Sequence, residues 1–309
     1  MAFRLDSNVD RVFSSGDYLL SLRKAPQATT ELVASAPHNP ASIARGVLTT
    51  SSISESISFA PLVENLPVPI QHLPTELLVY ILRFFSLTCN YTALERFGAV
   101  CKKARVLTMD NSLWRDIVRL LYQPPQIPKH AIIAEIVNSS YGNDYRRTLI
   151  LHPRVRFDGV YIAVCHCMRP GFSDNAWVNV SHLVTYHRYL RFFQDGSVLS
   201  LLANEDNPSD VVQQLKTSIV RSGLCTGRWH VIGSEVFIHD LFDSGGNVAK
   251  YAFEMSLALR SKPLGRWNKL EMTQYQTKRV DTGEIDVLPL KNERPFWFSK
   301  VRSYHYCHH

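Results

Sequence analysis

Tyr189-Leu190-Arg191-Phe192-Phe193-Gln194-Asp195-Gly196-Ser197-Val198-Leu199-Ser200-Leu201-Leu202 is the stretch that decides the fold of the larger part of this chain. Two runs of β-branched, aromatic and aliphatic residues flank an Asp-Gly pair, the strongest short-range signal for a β-hairpin. Period-two patterns recur on both sides of it. Val155, Phe157, Val160, Ile162 and Val164 predict a strand, with Asp158-Gly159 as a bulge. Further strands are expected over Arg228 to Ile232, Glu235 to His239, Lys250 to Leu259, Leu270 to Gln276, Glu284 to Leu288 and Phe296 to Tyr304, with one short helix at Asp210 to Thr217. At least seven short strands without a βαβ rhythm indicate an antiparallel barrel or sandwich-like domain over residues 150–309. Twenty of the 33 aromatic residues lie there, enough apolar area to fill one β core.

Upstream the period changes to that of helices. Pro74 suits a first helical position and Glu76 the positive end of a helix dipole, and Leu77, Leu78, Ile81, Leu82 and Phe85 follow on one broad apolar face of a helix over about 74–87. Thr92-Ala93-Leu94-Glu95 has the form of a capping box ahead of a second helix carrying Phe97, Val100, Cys101 and Ala104. Asp110 or Asn111 caps a third helix with the stripe Leu113, Trp114, Ile117, Leu120 and Leu121, which Pro124-Pro125 stops. Three short helices cannot bury all this apolar surface by themselves, which points to a partner. Residues 122–149 read as a helical connector. Residues 1–72 read as a mostly disordered segment, because six Pro and 11 Ser or Thr fall within 25–72, and only Val12 to Leu22 could form a helix.

The composition excludes several classes. The net charge of +7 is spread, at −1 for residues 1–72 (five basic, six acidic), +4 for 73–149 (ten and six) and +4 for 150–309 (19 and 15). The densest basic cluster, Lys102-Lys103-Ala104-Arg105, is short and lacks the aromatic interleaving of an RNA-binding surface, so no nucleic-acid partner is expected. No stretch approaches the ~18 uncharged apolar residues of a membrane span, and the N-terminus scatters charges where a signal peptide needs an apolar core. Six unpatterned Cys fit a reducing compartment, and a cytoplasmic location is expected, with the nucleus also open.

No catalytic constellation stands out. Asp243-Ser244-Gly245 and Asp281-Thr282-Gly283 have the form of aspartic protease triplets, but Gly246, Asn247, Lys278 and Arg279 mark them as exposed turns. Cys165-His166-Cys167 places its two thiols on one face of a strand and the imidazole on the other, with no second ligand pair nearby, and Cys307-His308-His309 ends the chain. No catalytic residue, metal ligand or cofactor is assigned. Arg154, Arg156, Arg188 and Arg191 stand among strand aromatics and could present donors to an acidic or phosphorylated segment. The competing reading makes them internal, paired with Asp158 and Asp195 or stacked on Tyr and Phe.

The order Leu73-Pro74-x-Glu76-Leu77-Leu78, Ile81, Val100-Cys101-Lys102 and Leu113-Trp114 resembles an F-box, the helical motif that docks on the adaptor of SCF-type ubiquitin ligases. Residues 152–162, 186–196 and Val301-Arg302-Ser303-Tyr304 extend the resemblance to the F-box only protein 9 family over about 73–306. The resemblance implies an α+β chain, a short three-helix F-box over 73–121 followed by the β domain. It further implies a non-catalytic substrate receptor, linked through the adaptor to cullin and RING subunits and recruiting an unknown protein substrate for ubiquitination and proteasomal degradation. Adaptor contact would fall to Leu73, Pro74, Leu77, Leu78, Ile81, Val100 and Trp114. The chain departs from the family in lacking a tetratricopeptide-like segment in residues 1–72, and Ala203 to Pro208 lacks the Thr residues of the family's loop. A β-barrel that binds a small apolar ligand outside any ligase is the alternative; an apolar cavity would favour it and an aromatic-filled interior would oppose it.

Overall fold

The computed structural model describes Phe59 and residues 69–170, 181–204, 208–215, 223–245 and 250–304. The expected helix at Val12 to Leu22, nearly all of the 25–72 linker and Cys307-His308-His309 lie outside the described residues. The chain divides into two compact units, one ending at Leu120 and including Asp144–Leu149, the other formed by Leu121–Asn143 and the residues from Ile150 onward.

The first unit is helical. After a 3-10 turn at Pro69–His72 come α1 (Thr75–Leu87), α2 (Tyr91–Gly98), α3 (Lys102–Thr108) and α4 (Asn111–Leu121). Pro74 stands at the N-cap of α1, one position before the helix, so its missing N–H still costs nothing. The expected second helix is two helices, and its capping box is not used. Asn90 caps α2 by accepting from the Ala93 N–H at 3.1 Å, and the Cys101 sulfur accepts from the Ala104 N–H to start α3. Thr92 sits within the first turn of α2, and Glu95 instead pairs with Arg146 at 2.8 Å. Asp110 accepts from the Ser112 N–H at 2.9 Å, while Asn111 accepts from the Tyr145 N–H at 3.1 Å. Leu78, Leu82, Leu94, Leu107, Leu113, Trp114 and Ile117 are buried together in this unit.

The second unit is a closed antiparallel barrel. Its strands are β1 (Gly159–Pro170), β2 (Ser181–Phe192), β3 (Ser197–Ala203), β4 (Leu224–Ile232), β5 (Glu235–Asp243), β6 (Tyr251–Arg260), β7 (Lys269–Arg279), β8 (Ile285–Val287) and β9 (Phe296–Lys300). β1 to β7 form a meander, and β9 enters between β7 and β1 to close an eight-stranded ring; β8 is a short extra pairing on β7. Closure satisfies the edges that an open sheet would expose. The quoted hairpin is β2–β3, with Phe192 opposite Val198, Gly196 at φ 85° and the Asp195 carboxylate accepting from the Ser197 N–H at 2.9 Å. Asp158-Gly159 is not a bulge: Gly159 opens β1, where a side chain would collide with the Ser299 carbonyl on β9.

Aromatic rings fill the interior. Tyr161, Phe192, Trp229 and Phe296 are buried there, with ring centroids 5.7 Å apart for Tyr161–Phe192 and 5.3 Å for Phe192–Trp229. This is the filling that argues against an apolar ligand cavity. The Tyr161 hydroxyl donates to the Trp267 carbonyl at 2.9 Å and accepts from the Arg156 N–H at 3.1 Å. One outer face is also buried, beneath a short helix, α7 (Pro208–Gln214), and Tyr304. Both faces of Val198-Leu199-Ser200-Leu201 are therefore covered, which accounts for a run more apolar than simple alternation. Between α4 and β1 lie α5 (Ile133–Tyr141) and α6 (Tyr145–Leu151). The connector is not separate: Gln126 exchanges two hydrogen bonds with Val155, at 2.6 and 2.9 Å, and fastens this segment to the barrel.

Candidate functional site

α1 carries apolar residues on two opposite faces. Leu78 and Leu82 (3% and 2% exposed) turn into the helical unit, whereas Leu77, Tyr80, Ile81 and Phe84 (50%, 75%, 45% and 65%) turn out, with Leu87 continuing the row. Spacings of three and four place those outward residues on one stripe. Large apolar side chains exposed side by side on a helix are the usual mark of an interaction surface, because isolated ones are common and a row is not. The expectation that Leu77, Leu78 and Ile81 share one stripe is corrected: a step of about 100° per residue carries Leu78 round to the buried side while Leu77 and Ile81 stay exposed.

The remaining expected contact residues also divide. Leu73, Pro74 and Val100 are exposed, Val100 at 72% in the short link between α2 and α3. Trp114 is 2% exposed; its indole N–H donates to the Thr108 carbonyl at 2.7 Å, and the Arg146 guanidinium lies 5.3 Å from its ring centroid. Leu78 and Trp114 therefore hold the motif together from inside. Tyr80 and Phe84, missed by the sequence reading, complete the outward face. Their signal was present as i, i+4 and i+7 positions from Leu77 and Tyr80, but the first helical face found absorbed the apolar pattern.

The four arginines are internal to the barrel unit. Arg156 forms a two-pronged pair with Asp158, at 3.1 and 3.0 Å, and lies 3.9 Å over the Phe298 ring. Arg188 pairs with Glu293 at 2.9 Å beside Tyr275; burial pulls its pKa down, but Glu293 and Tyr275 outweigh that and hold it above the ordinary value. Arg191 donates to the Leu215 carbonyl and stacks on Tyr304 at 3.4 Å, and Arg154 is buried. Asp195 accepts from Ser197 and is not the partner of Arg191. As planar cations they suit stacking within a packed core, and of the two readings open to them the structure shows the internal one, with Arg156 on Asp158 and Arg191 on Tyr304 and not a row of donors facing a substrate.

The protease-like triplets do not meet. Asp243 accepts from the backbone N–H of Gly223 and Gly245, and Asp281 is exposed in the turn between β7 and β8. In the Cys-His-Cys run Cys165 is buried, and His166 faces the other way to Thr185 at 3.0 Å. No group of three metal-ligating side chains occurs among the described residues, and no helix among them is long and apolar enough to cross a membrane.

Comparison with known proteins places both units. The F-box-like family matches residues 70–120, and the family described as F-box only protein C-terminal region matches residues 134–295. The chain is 26% identical over 270 residues to the F-box protein pof7 of Schizosaccharomyces pombe, covering 84% of this chain and 73% of that protein. It is 29% identical over 168 residues to the F-box protein HRT3 of Saccharomyces cerevisiae, covering 53% of this chain and 47% of that protein. With the C-terminal family spanning more than half of the chain and the F-box-like family the helices before it, the chain belongs to the F-box only protein family.

Proposed function

We propose that this chain is the substrate receptor of an SCF-type ubiquitin ligase. The outward stripe of α1, Leu77, Tyr80, Ile81 and Phe84, seats on the adaptor, and the barrel recruits a protein substrate for ubiquitination and proteasomal degradation. The observation that carries the reading is that stripe, four large apolar side chains 45% to 75% exposed within the segment matched by the F-box-like family. A helix laid into an apolar groove binds through such anchors at i, i+3, i+4 and i+7. Aromatic members at the centre of the row contribute most of the affinity.

The receptor itself performs no bond chemistry in this reading. It raises the effective concentration of substrate lysines near a charged conjugating enzyme, a gain set by geometry and not by an activated side chain. A cytoplasmic location, with the nucleus also open, is part of this reading, since six cysteines without the spacing of a disulfide framework suit a reducing compartment. Co-purification with the adaptor tests the proposal. Wild-type capture is expected, with loss on Tyr80→Ala combined with Phe84→Ala; failure of the wild-type chain to capture the adaptor would overturn it. Both residues are exposed, so the double variant is expected to fold.

A further inference from the structure

Three irregularities of the barrel wall converge on one cleft. β4 shifts register against β5 between Thr226 and Arg228, β5 against β6 between Ile238 and Leu241, and β6 against β7 between Ser256 and Leu257. Bulges re-aim side chains and gather next to binding sites. Here one of them is held against local preference. Asp240 has φ 54°, in the left-handed region that non-glycine residues seldom adopt. Gly227 makes room for it, since a Cβ there would come within 2.7 Å of the His239 carbonyl and 3.1 Å of the Asp240 carbonyl. The cleft that opens has a volume of about 400 Å³ and is lined by His230, Phe237, His239, Glu254, Gln274 and Gln276 above a floor of core residues.

Its chemistry selects a ligand class. No Lys or Arg lines the cleft, and Arg228, opposite His239, is turned away to the Asp195 carbonyl at 3.4 Å. Glu254 is the single carboxylate of the lining, and burial, then His239, hold the His230 imidazole toward its neutral form. The rings of His230 and Phe237 stack at 5.3 Å and 19°, giving the cleft an aromatic wall. Gln274 donates to Gln276 and Gln276 donates to Glu254, a hydrogen-bond chain that ends on and orients the Glu254 carboxylate. An aromatic face beside one oriented carboxylate fits a planar cation with several donors better than a point charge, an anion or an apolar group.

We propose that this cleft binds an arginine side chain of an extended protein segment. The inference rests on the receptor reading and deepens it, naming the substrate feature that the barrel recognises. The test titrates the full chain with N-acetyl-arginine-N-methylamide while following the imidazole resonances of His230 and His239, assigned through His230→Gln and His239→Gln. The norleucine and glutamate counterparts are titrated in parallel, and the resonance of the half-buried His152, packed against Tyr122 and Tyr141, reports that the unit stays folded. A saturable shift of both imidazoles is expected with the arginine probe alone, with affinity about tenfold weaker in Glu254→Gln, the loss of one charged hydrogen-bond partner. An equal response to norleucine or glutamate overturns the assignment, as does no saturable response to arginine, or unchanged affinity in Glu254→Gln. The titration involves no adaptor and no ubiquitin. Adaptor capture lost while arginine binds overturns the receptor reading alone, and the opposite pair of results removes the cleft alone.

Discussion

Adjacent leucines on α1 should separate folding from docking. Leu78 is 3% exposed within the helical unit, so Leu78→Ala removes buried methyl groups and leaves a cavity. Such changes cost about 2–5 kcal/mol; taking ~3 kcal/mol, the folded-to-unfolded ratio falls roughly 150-fold, a large part of the stability of a small unit. Leu77 is 50% exposed, so only part of its transfer free energy is at stake, about 1 kcal/mol or less. Its contribution should appear in docking instead, where truncating an anchor typically costs ~2 kcal/mol, or about a 30-fold rise in Kd. Hydrogen exchange resolved along residues 75–121 reads the first quantity without interference from the barrel, and adaptor calorimetry reads the second. Leu78→Ala is expected to deprotect the amides of Leu82 and Ser86, and Leu77→Ala to leave them protected while weakening the adaptor. Equal loss of protection in both variants, or wild-type adaptor affinity in Leu77→Ala, would refute the two-faced helix.

Asp158, whose carboxylate is 4% exposed between Arg156 and Lys300, is expected to destabilise the barrel by ~3 kcal/mol as Asp158→Asn, since the partner charge is left buried. For a unit of this size that is a fall in Tm of about 6–12 °C by scanning calorimetry, and a shift under about 2 °C would count against the pair. Burial, then Asp243, push the Cys225 thiol up to about 11 from 9.0. At pH 8 its thiolate fraction should be about 100-fold below that of an ordinary thiol, and alkylation followed by mass spectrometry should be slower to match; reaction at a peptide thiol's rate would contradict its burial. Burial raises the pKa of Tyr161, Tyr275 and Tyr304, so the folded barrel holds these protons more tightly than the unfolded chain. Their contribution is intact below about pH 10 and lost as pH rises beyond it, so the urea midpoint should fall above pH ~10 and stay level through that range if the reasoning is wrong.

Much of the fold is legible locally. The β2–β3 hairpin needs only two β-prone runs and Asp195-Gly196, and α4 needs only Asp110 and the stripe from Leu113 to Leu121. Where the reading failed, local signals competed. Thr92 to Glu95 matches a capping box, but Asn90 captures the Ala93 N–H first, so α2 begins at Tyr91 and the chain breaks again before Lys102. Strands β2 and β4 extend well before their expected starts, since the segments Ser181 to Arg188 and Leu224 to Gly227 gain strand geometry from neighbours distant in sequence.

The candidate sites follow the same division. The helical character of the first region, the antiparallel β character of the second, the β2–β3 hairpin and the ordered F-box motif were determined by the sequence alone, because propensity, capping and periodicity act over a few residues. Three-dimensional packing decided the rest: that Leu78 and Trp114 lie inside while Tyr80 and Phe84 face out, that the ring closes through β9, that Arg188 finds Glu293 within the barrel, and that His230, His239 and Glu254 meet around one bulge. Those outcomes depend on which face of an element is covered and by what, and coverage is a property of contacts between residues far apart in the chain.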